Sequence, residues 1–535
     1  MGVRFIILTT LFGILFGILG FNLYNVQINK GSYYLGKVQA RTENSAQLEL
    51  RRGDILLTDR YGNSIPVALN KDYPVIYAVP KEIKDPKSEA LALAPVIGAT
   101  STALEKILNN PQSMFRILVE KASDQMVGAV DALNLEGIYT DTKQYRYYPF
   151  GELSSQVIGF VGMNSNTTEP IGLYGVEKYY NDTLEAGNDI NLTIDRNLQV
   201  QSEDTLQNLI KEQNATGGTI IIEEPTTGKI LALANYPTFD PNAYSKSDVT
   251  NFLDPALQYT YEPGSVFKSI TMSAGINENI IAPTSTYDDK GFVVMNGKTI
   301  NNWDHKGRGP KTTMIRVLED SLNTGAVWAE QQIGRKIFYD YVTKFGFGTT
   351  TGIDLPNEVS GSLNNLERRG AEDIDYASAA FGQGISVTPL QMINAYSAIA
   401  NGGFLMRPYV NAELGPHTIR RVISESTAKQ VIDMLVKAVN FNKVAVIPQF
   451  DVAGKTGTAQ IPDLVHGGYT DKYMDTFIGI APASNPRFVI LVKLDNPDSY
   501  LAGESVVPAF RDLATFVLNY YNVAPDNQTN LRPTQ

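Results

Sequence analysis

The amino-terminal segment is uncharged and long enough to cross a membrane. No Asp, Glu, Lys or Arg occurs between Arg4 and Lys30, and residues 5–23 are apolar apart from two threonines and one asparagine. A bilayer-spanning helix needs about 20 predominantly apolar residues. A cleavable signal peptide is the competing interpretation, but the residues that follow offer no Ala-x-Ala-like cleavage site. The sequence therefore predicts an uncleaved transmembrane helix.

Arg4 and the terminal amine precede this segment, which favours a cytoplasmic amino terminus. The sequence contains no second segment of this kind, so we expect nearly all of the chain on the extracytoplasmic side of the cytoplasmic membrane. Gly13 and Gly17 form a GxxxG pair, a pattern through which membrane helices can pack against a partner helix.

Composition excludes several classes of function. The 535 residues carry a net charge of −11. Because the chain is acidic, it is a poor candidate for nucleic-acid binding. The chain has no Cys, which excludes disulfides, thiolate metal sites and cysteine nucleophiles. Its three His are far apart and none lies in an HExxH-type pattern, which argues against a zinc hydrolase.

The hydrophobic pattern changes along the chain, and its length suggests two or three domains. Up to about residue 195, short alternating runs such as 73–79 and 155–162 indicate strands in a mixed module. A helical stretch over 192–214 is expected to lead into a hairpin formed by 217–224 and 228–235. A mostly helical block follows, in which Thr388, with Pro389 next and Gln391 three residues on, is expected to cap a helix.

The carboxyl-terminal part returns to strands. Runs at 453–461, 476–482 and 487–494 have the composition of strands, and an amphipathic helix is expected over about 508–521. Strands, then helices, then strands indicate one sheet with helices on its faces and a helical subdomain inserted between its halves. The last residues are expected to form a disordered tail.

The first chemical motif is Ser265-Val266-Phe267-Lys268, which follows Pro263-Gly264 and opens an apolar run. Since Pro-Gly favours a turn, Ser265 is expected at the start of a helix with Lys268 one turn later on the same face. A serine hydroxyl needs an adjacent base to act as a nucleophile, and a lysine serves as that base when burial or a second cation lowers its pKa. Alone, this motif is weakly specific.

Two further motifs make the pattern specific. Ser321-Leu322-Asn323 offers a hydroxyl and an amide that could relay a proton and hold a substrate amide. Lys455-Thr456-Gly457-Thr458 begins a predicted strand; its lysine and threonines could bind a carboxylate, and Gly457 would allow close backbone approach.

The order S-x-x-K, S-x-N and K-T-G is shared by penicillin-binding proteins and serine β-lactamases. On these motifs the chain resembles a class B penicillin-binding protein, a membrane-anchored peptidoglycan transpeptidase, over about residues 5–520. Segments 146–162 and 172–187 resemble the pedestal of that family, and Phe381-Gly382-Gln383-Gly384 resembles a segment of its catalytic domain.

The resemblance implies an α/β (α+β) fold, with a transpeptidase domain similar to serine β-lactamases: a central antiparallel sheet, helices on both faces and a helical subdomain. An α+β pedestal and one transmembrane helix precede it. The expected order is a cytoplasmic stub (1–4), the anchor helix (5–26), the pedestal (27–205), the transpeptidase domain (206–522) and the tail (523–535).

The resemblance also implies residue roles in cross-linking. Ser265 attacks the carbonyl between the last two D-alanines of a stem peptide, and Lys268 takes its proton. Ser321 passes a proton to the leaving amine, while Lys455 tunes that network. D-Alanine leaves, and an amine of a neighbouring stem resolves the acyl-enzyme. The resemblance implies that this reaction needs neither a metal nor an organic cofactor.

The remaining implied roles concern binding. Asn323 holds the donor amide, Thr456 and Thr458 bind the terminal carboxylate, and Trp303 lies in a segment similar to one that lines the family's cleft. The resemblance implies that β-lactams acylate Ser265 and that the protein works beside a multispanning glycan polymerase. Asn323 and the segment 345–361 look more like the septal than the elongation type.

Three alternatives stay open at the level of sequence. A β-lactam-hydrolysing enzyme is one, because residues 319–323 also read E-x-x-L-N, although this overlaps the S-x-N motif. The second is a membrane-anchored sensor that is acylated but does not cross-link. The third is a non-enzymatic interaction module in which the pedestal is the functional part.

Overall fold

The computed structural model describes residues 2–29, 51–163, 170–463 and 466–526. The chain forms two compact units, and each unit is assembled from several separate segments of the sequence. The smaller unit comprises Met1–Arg52, Leu69–Tyr147 and Glu185–Gly187, and the larger one the remaining residues. Most of the predicted tail lies outside the described residues. The predicted domain bounds stay a prediction.

The α-helices in chain order are α1 (Gly2–Tyr24), α2 (Pro86–Ile97), α3 (Ser101–Leu108), α4 (Asp124–Leu133), α5 (Ser155–Ile158), α6 (Gly175–Tyr179), α7 (Asn181–Glu185), α8 (Arg196–Glu212), α9 (Pro255–Gln258), α10 (Lys268–Asn277), α11 (Met314–Glu319), α12 (Asn323–Ile333), α13 (Arg335–Lys344), α14 (Asn364–Glu367), α15 (Asp373–Ala379), α16 (Pro389–Ala400), α17 (Glu425–Asn442) and α18 (Val506–Tyr520).

The strands are β1 (Ile55–Thr58), β2 (Ser64–Ala78), β3 (Arg116–Val119), β4 (Ile138–Tyr147), β5 (Val161–Gly162), β6 (Ile171–Gly172), β7 (Ile190–Asp195), β8 (Gly217–Glu224), β9 (Lys229–Tyr236), β10 (Thr286–Asp289), β11 (Phe292–Met295), β12 (Lys298–Asn301), β13 (Gly309–Thr313), β14 (Phe404–Met406), β15 (Thr418–Arg421), β16 (Ala453–Pro462), β17 (Tyr469–Ala481) and β18 (Phe488–Asp495).

Helix α1 is a continuous helix of 23 residues that covers most of the uncharged amino-terminal segment. Within the described ranges, no helix meets the combined length and hydropathy of a membrane span.

In the smaller unit, the second half of β2 pairs antiparallel with β4 on one side and with β3 on the other. Residues two apart on a strand point to the same face, so Ile76 and Ala78 are buried together. Helices α2, α3 and α4 supply the apolar side chains that complete this core, among them Leu93, Leu104 and Val130.

The larger unit is built on an antiparallel five-stranded sheet with the order β16-β17-β18-β8-β9. Alternate residues of its strands enter two different cores. Ile221 and Leu491 belong to the core shared with the helical block, whereas Ile220 and Ile490 pack with α8 and α18 on the opposite face. The sheet is therefore covered on both faces, which confirms the predicted fold class.

Two local predictions are confirmed. The hairpin forms from β8 and β9, joined through Pro225-Thr226-Thr227-Gly228. Helix α16 begins after Thr388, whose hydroxyl accepts a hydrogen bond from the backbone N of Gln391 at 3.1 Å. Gln391 Oε1 accepts one from Thr388 N at 2.9 Å in return, so both bonds of the capping box are present.

Two other local predictions were wrong. Residues 192–195 form the end of β7 rather than the start of a helix, because β7 pairs with β1 and Asp195 caps α8. Residues 155–158 form the short helix α5 rather than a strand, and only β5 after it is extended. In both places tertiary packing overrides a local apolar pattern.

Candidate active site

Ser265 lies in the 3-10 turn Gly264–Phe267, which leads directly into helix α10. Pro263 precedes this turn, and Gly264 has φ +59°, a conformation that glycine adopts without steric strain. The structure therefore has Ser265 just before the first turn of a buried helix and Lys268 at the beginning of that helix.

The side chain of Lys268 is fully buried and surrounded by oxygen atoms. Its Nζ lies 2.9 Å from Oγ of Ser265. It donates to the carbonyl oxygen of Ser321 at 2.7 Å and to Oδ1 of Asn323 at 2.8 Å. The Asn323 amide is held in this orientation because its Nδ2 donates to the carbonyl oxygen of Asn301 at 2.9 Å. Two of the three hydrogen-bonding positions of Nζ therefore face oxygens that can only accept.

Burial lowers the pKa of Lys268 well below that of a free lysine, and the positive charge of Lys455 contributes a smaller part of this shift. A neutral amine has two N–H groups and one lone pair. When both N–H groups point at the oxygens of Ser321 and Asn323, the lone pair faces the hydroxyl of Ser265. This arrangement can accept the serine proton.

Lys455 lies on β16 and is also buried. Its Nζ donates to Oγ of Ser321 at 2.9 Å and to the carbonyl oxygen of Thr456 at 3.1 Å. Burial lowers the pKa of Lys455 to about 7. The Ser321 hydroxyl thus lies between two lysines, 3.3 Å from Lys268 Nζ on its other side. Such a chain of polar atoms can move a proton away from Ser265.

Ser321 has φ +54°, a left-handed conformation that is rare for residues with a Cβ. Its neighbour Asp320 anchors this turn: the carboxylate oxygen Oδ2 accepts from Nε of Arg308 at 2.8 Å and pairs with Nε of Arg316 at 2.7 Å. Trp303 Nε1 donates to the carbonyl oxygen of Asp320 at 3.1 Å. The sequence did not indicate the contacts of Arg308 and Trp303 with Asp320, because no motif links residues that are 12 and 17 positions apart. The Arg316–Asp320 ion pair has the four-residue spacing of a helical pair but was not predicted.

A second network, also missed from the sequence, fixes the start of α12. Thr324 Oγ1 donates to Asp289 Oδ1 at 2.8 Å, and its backbone N donates to Asn302 Oδ1 at 3.1 Å. Asn302 Nδ2 in turn donates to the buried carboxylate of Asp289. These bonds join β10, the end of β12 and α12, and so hold the Asn301 carbonyl oxygen against the Asn323 amide.

Gly457 permits close approach between β16 and the nucleophile turn. A Cβ at this position would lie 2.8 Å from the carbonyl oxygen of Pro263 and 3.1 Å from Cγ1 of Val266. Any larger residue would push the strand away from the turn. The Cβ of a residue replacing Gly264 would similarly be 3.3 Å from the carbonyl oxygen of Thr458.

The two threonines of the third motif project from the opposite face of β16 to Lys455 and Gly457. Thr456 is half-buried, with Oγ1 3.4 Å from Nζ of Lys455. Thr458 is exposed, and its hydroxyl donates to Oδ1 of Asp475 at 3.1 Å. Strand β16 lies at an edge of its sheet, next to β17 alone in the strand order.

The Phe381–Gly384 segment supports the nucleophile turn from another side. Gly264 N donates to the carbonyl oxygen of Gly382 at 3.0 Å. Gly382 has φ +82°, and a Cβ there would lie 2.2 Å from the carbonyl oxygen of Gly264. Gly384 N donates to Oε1 of Glu262 at 2.9 Å, and Tyr469 donates its hydroxyl to Oε2 of the same residue at 2.9 Å.

The structure brings together eight of the predicted site residues, each of which contacts another member of the group directly or through an adjacent residue. They are Ser265, Lys268, Ser321, Asn323, Lys455, Thr456, Gly457 and Thr458. The ninth, Trp303, is 65% exposed and reaches the group through its bond to the residue before Ser321. Within the described ranges, no group of three or more His, Asp or Glu side chains could hold a metal ion.

Two family models match the chain. The penicillin-binding protein transpeptidase domain matches residues 218–515, and the penicillin-binding protein dimerisation domain matches residues 48–221. The first match covers the five-stranded sheet of the larger unit except Gly217, and it covers every residue of the site described above.

Individual relatives match over most of their lengths. Stage V sporulation protein D of Bacillus subtilis is 32% identical over 91% of this chain and 81% of its own. Peptidoglycan D,D-transpeptidase FtsI of Escherichia coli K12 is 28% identical over 90% of this chain and 86% of its own. The crystal structure of penicillin-binding protein 3 of Mycobacterium tuberculosis, complexed with aztreonam, has a TM-score of 0.70 at 27% identity. That match covers 91% of this chain and 99% of the other.

Proposed function

Because this chain belongs to the family of penicillin-binding protein transpeptidases, we propose that Ser265 is the nucleophile with which it cross-links peptidoglycan stem peptides. The chain is a class B penicillin-binding protein, in which a dimerisation domain precedes the transpeptidase domain. The observation that carries the assignment of Ser265 is the fully buried Lys268 amine 2.9 Å from its hydroxyl.

In the proposed acylation step, Ser265 Oγ attacks the carbonyl carbon between the last two D-alanines and its proton passes to Nζ of Lys268. The C–N bond then breaks, and the leaving amine takes a proton through Ser321, whose hydroxyl is within reach of both lysines. D-Alanine departs and an ester to Ser265 remains. An amine of a neighbouring stem attacks this ester, its proton returns along the same groups, and Ser265 is regenerated.

The donor peptide is proposed to bind along the free edge of β16. Lys455 supplies a positive charge and Thr456 and Thr458 supply hydroxyls for the terminal carboxylate, a set of donors that suits an anion. The second N–H of the Asn323 amide is available for the donor backbone, since the first is used by Asn301. Trp303, exposed beside the Ser321 turn, offers an aromatic face to the same peptide.

The oxyanion of the tetrahedral intermediate is proposed to bind to the backbone N–H groups of Ser265 and Thr458. The close packing at Gly457 and Gly264 supports this, because it keeps the strand and the turn near enough for two N–H groups to converge. Removing one such donor from a serine protease lowers turnover by roughly 10²–10³-fold.

The structure offers less support for β-lactam hydrolysis as the main activity. In the E-x-x-L-N alternative, Ser321 and Asn323 would serve a second purpose, yet both contact Lys268. The carboxylate of Glu319 is instead paired with Arg316 at 3.5 Å. We therefore place transpeptidation before hydrolysis and before a sensor function.

Membrane attachment and partners are part of the same proposal. We infer that the uncharged amino-terminal segment anchors the enzyme in the cytoplasmic (inner) membrane, with the catalytic domain outside. A multispanning glycan polymerase is the proposed partner, and septal wall synthesis the proposed role. The sequence supports the anchor through its length and lack of charge between Arg4 and Lys30.

The anchor is tested by fractionation. We expect the full chain to sediment with membranes and to resist extraction by carbonate, and a variant lacking residues 2–29 to be soluble. Recovery of the full chain in the soluble fraction would contradict the anchor without affecting the catalytic assignment.

The catalytic proposal is tested by intact-mass analysis of the wild-type enzyme. Incubation with benzylpenicillin should add the mass of one penicillin and the adduct should persist for many minutes. With a stem-peptide donor and an amine acceptor, the cross-linked product and free D-alanine should appear in equal amounts. Rapid hydrolysis of penicillin without an adduct would instead support a β-lactamase, and a stable adduct without any cross-linked product would support a sensor.

A further inference from the structure

Asp475 lies directly behind the proposed carboxylate site. It is on β17, in register with Thr458 of β16, and its side chain is completely buried. Its carboxylate accepts hydrogen bonds from two hydroxyls: Thr458 at 3.1 Å, and Ser505, which immediately precedes helix α18. An ionised carboxylate that is buried next to a site for a substrate anion is electrostatically unfavourable, and protonation removes that cost.

The groups that face Asp475 from neighbouring elements are uncharged. Strand β16 contributes the Thr458 hydroxyl and the α18 side contributes the Ser505 hydroxyl. On β18 its register partner is Leu494, and the flanking Lys493 and Asp495 pair with each other. In the part of the chain that the structure describes, no Lys, Arg or His lies within ion-pair distance of Asp475.

The protonation state of Asp475 decides what the Thr458 hydroxyl can do. An ionised carboxylate only accepts, so it takes the single hydroxyl hydrogen of Thr458. The Thr458 oxygen then presents only lone pairs to a ligand, one of which accepts from the backbone N of Ala502 at 3.4 Å. Those lone pairs would repel a substrate carboxylate. A protonated Asp475 can donate to Thr458 Oγ1 instead, which frees the threonine hydrogen for the substrate.

We propose that Asp475 is a positioning residue whose protonation switches the Thr458 hydroxyl from repelling to binding the carboxylate of the donor peptide or β-lactam. This inference rests on the proposed acylation of Ser265. Asp475 itself takes no part in the bond changes. Where it is ionised in the free enzyme, it takes up one proton from solvent when the carboxylate binds.

The pH range of this switch follows from the pKa of Asp475. Burial raises this pKa and the hydrogen bonds from Ser505 and Thr458 lower it, with a net value of about 6. The group is therefore protonated below about pH 6 and ionised above it. By linkage, a ligand carboxylate that prefers the protonated state raises the pKa of Asp475 further when it binds.

The test compares benzylpenicillin with its methyl ester, which lacks the carboxylate, as acylating agents of Ser265. The ratio of their second-order rate constants cancels the titration of Lys268, which affects both compounds alike. In the wild type this ratio should fall as pH rises from 5 to 8. Part of the fall comes from Lys455, whose pKa burial lowers to about 7 and which loses its positive charge in the wild type and in the variants alike. The ionisation of Asp475 should add a further fall. In Asp475→Asn, whose amide can donate to Thr458 at every pH, that additional fall should disappear and the ratio at pH 8 should be about tenfold higher than in the wild type.

Ser505→Ala provides a second variant that keeps the acid. Since the Ser505 hydrogen bond favours the ionised carboxylate, its loss should raise the pKa of Asp475 and move the fall in the ratio to higher pH. A folded Asp475→Asn enzyme with the wild-type ratio at every pH would overturn the inference. An unchanged Ser505→Ala profile would overturn it as well, and remains decisive if Asp475→Asn does not fold.

The experiment distinguishes a failure of the Ser265 assignment from a failure of the inference about Asp475. If the wild type forms no adduct with either compound, the assignment of Ser265 fails. If adducts form but the ratio is indifferent to Asp475 and Ser505, only the inference about Asp475 fails.

Discussion

Replacement of Ser265 by alanine should abolish the covalent penicillin adduct, with acylation slowed by more than about 10⁴-fold. No other group can form the ester if the Ser265 oxygen is the nucleophile. The fold should survive, because Lys268 keeps its bonds to the Ser321 carbonyl and to Asn323, so the free energy of unfolding should change by only about 1 kcal/mol. Intact-mass spectrometry measures the adduct and thermal unfolding measures the fold.

Ser273→Ala is the matched control for this variant. Ser273 lies on the same buried helix, and its hydroxyl donates only to the carbonyl oxygen of Ser269 one turn earlier, at 2.7 Å. It should therefore be acylated at the wild-type rate. An adduct of unchanged mass on Ser265→Ala, or loss of the adduct in the control, would show that the nucleophile lies elsewhere.

Features encoded by short stretches of sequence could be predicted. The β8–β9 hairpin and the capping box at Thr388 depend on residues within a few positions of one another, so local turn and capping chemistry was sufficient. The helix start at Ser265 followed in the same way from Pro263 and Gly264.

The three catalytic motifs were visible for a different reason. Each is short and holds residue types with a definite chemistry, so their joint order identified the family, and the comparisons confirm it. What the order could not supply was distance: only the structure shows Lys268 within 2.9 Å of Ser265 Oγ and Ser321 between two lysines.

The groups that support the site could not be predicted, because they depend on contacts across long stretches of chain. Asp320 is held by Arg308 from 12 residues away, and Asp289 reaches Thr324 from 35 residues away. Asp475 meets Thr458 only through the register of two antiparallel strands. The same cause explains the wrong prediction at residues 192–195, which were expected to be helical but pair with the distant strand β1.

Replacement of Lys268 by methionine should slow acylation of Ser265 by about 10³-fold, within the range expected for removal of a general base. Methionine has a similar length and no lone pair of comparable basicity, so the cavity stays filled while the proton acceptor is lost. Stopped-flow acylation with a chromogenic β-lactam measures the rate. Lys472→Met, on an exposed part of β17, is the matched control and should react like the wild type.

The pH dependence of the same reaction separates a base from a merely structural lysine. The neutral form of Lys268 is the reactive one, so the acylation rate should rise with pH through the pKa of Lys268 and fall away below it. That pKa is lowered mainly by burial and to a smaller extent by the charge of Lys455.

Lys455→Met removes that charge, so the pKa of Lys268 should rise and the rising limb of the rate should move to higher pH. Any loss of carboxylate binding would add to this effect. With the neutral methyl ester of benzylpenicillin, which does not need the carboxylate site, the shift should remain while the binding loss disappears. A rising limb that stays at the wild-type pH in Lys455→Met would mean that the two amines are not electrostatically coupled. An acylation rate without any rising limb in the wild type would mean that the proton acceptor of Ser265 is a group other than Lys268.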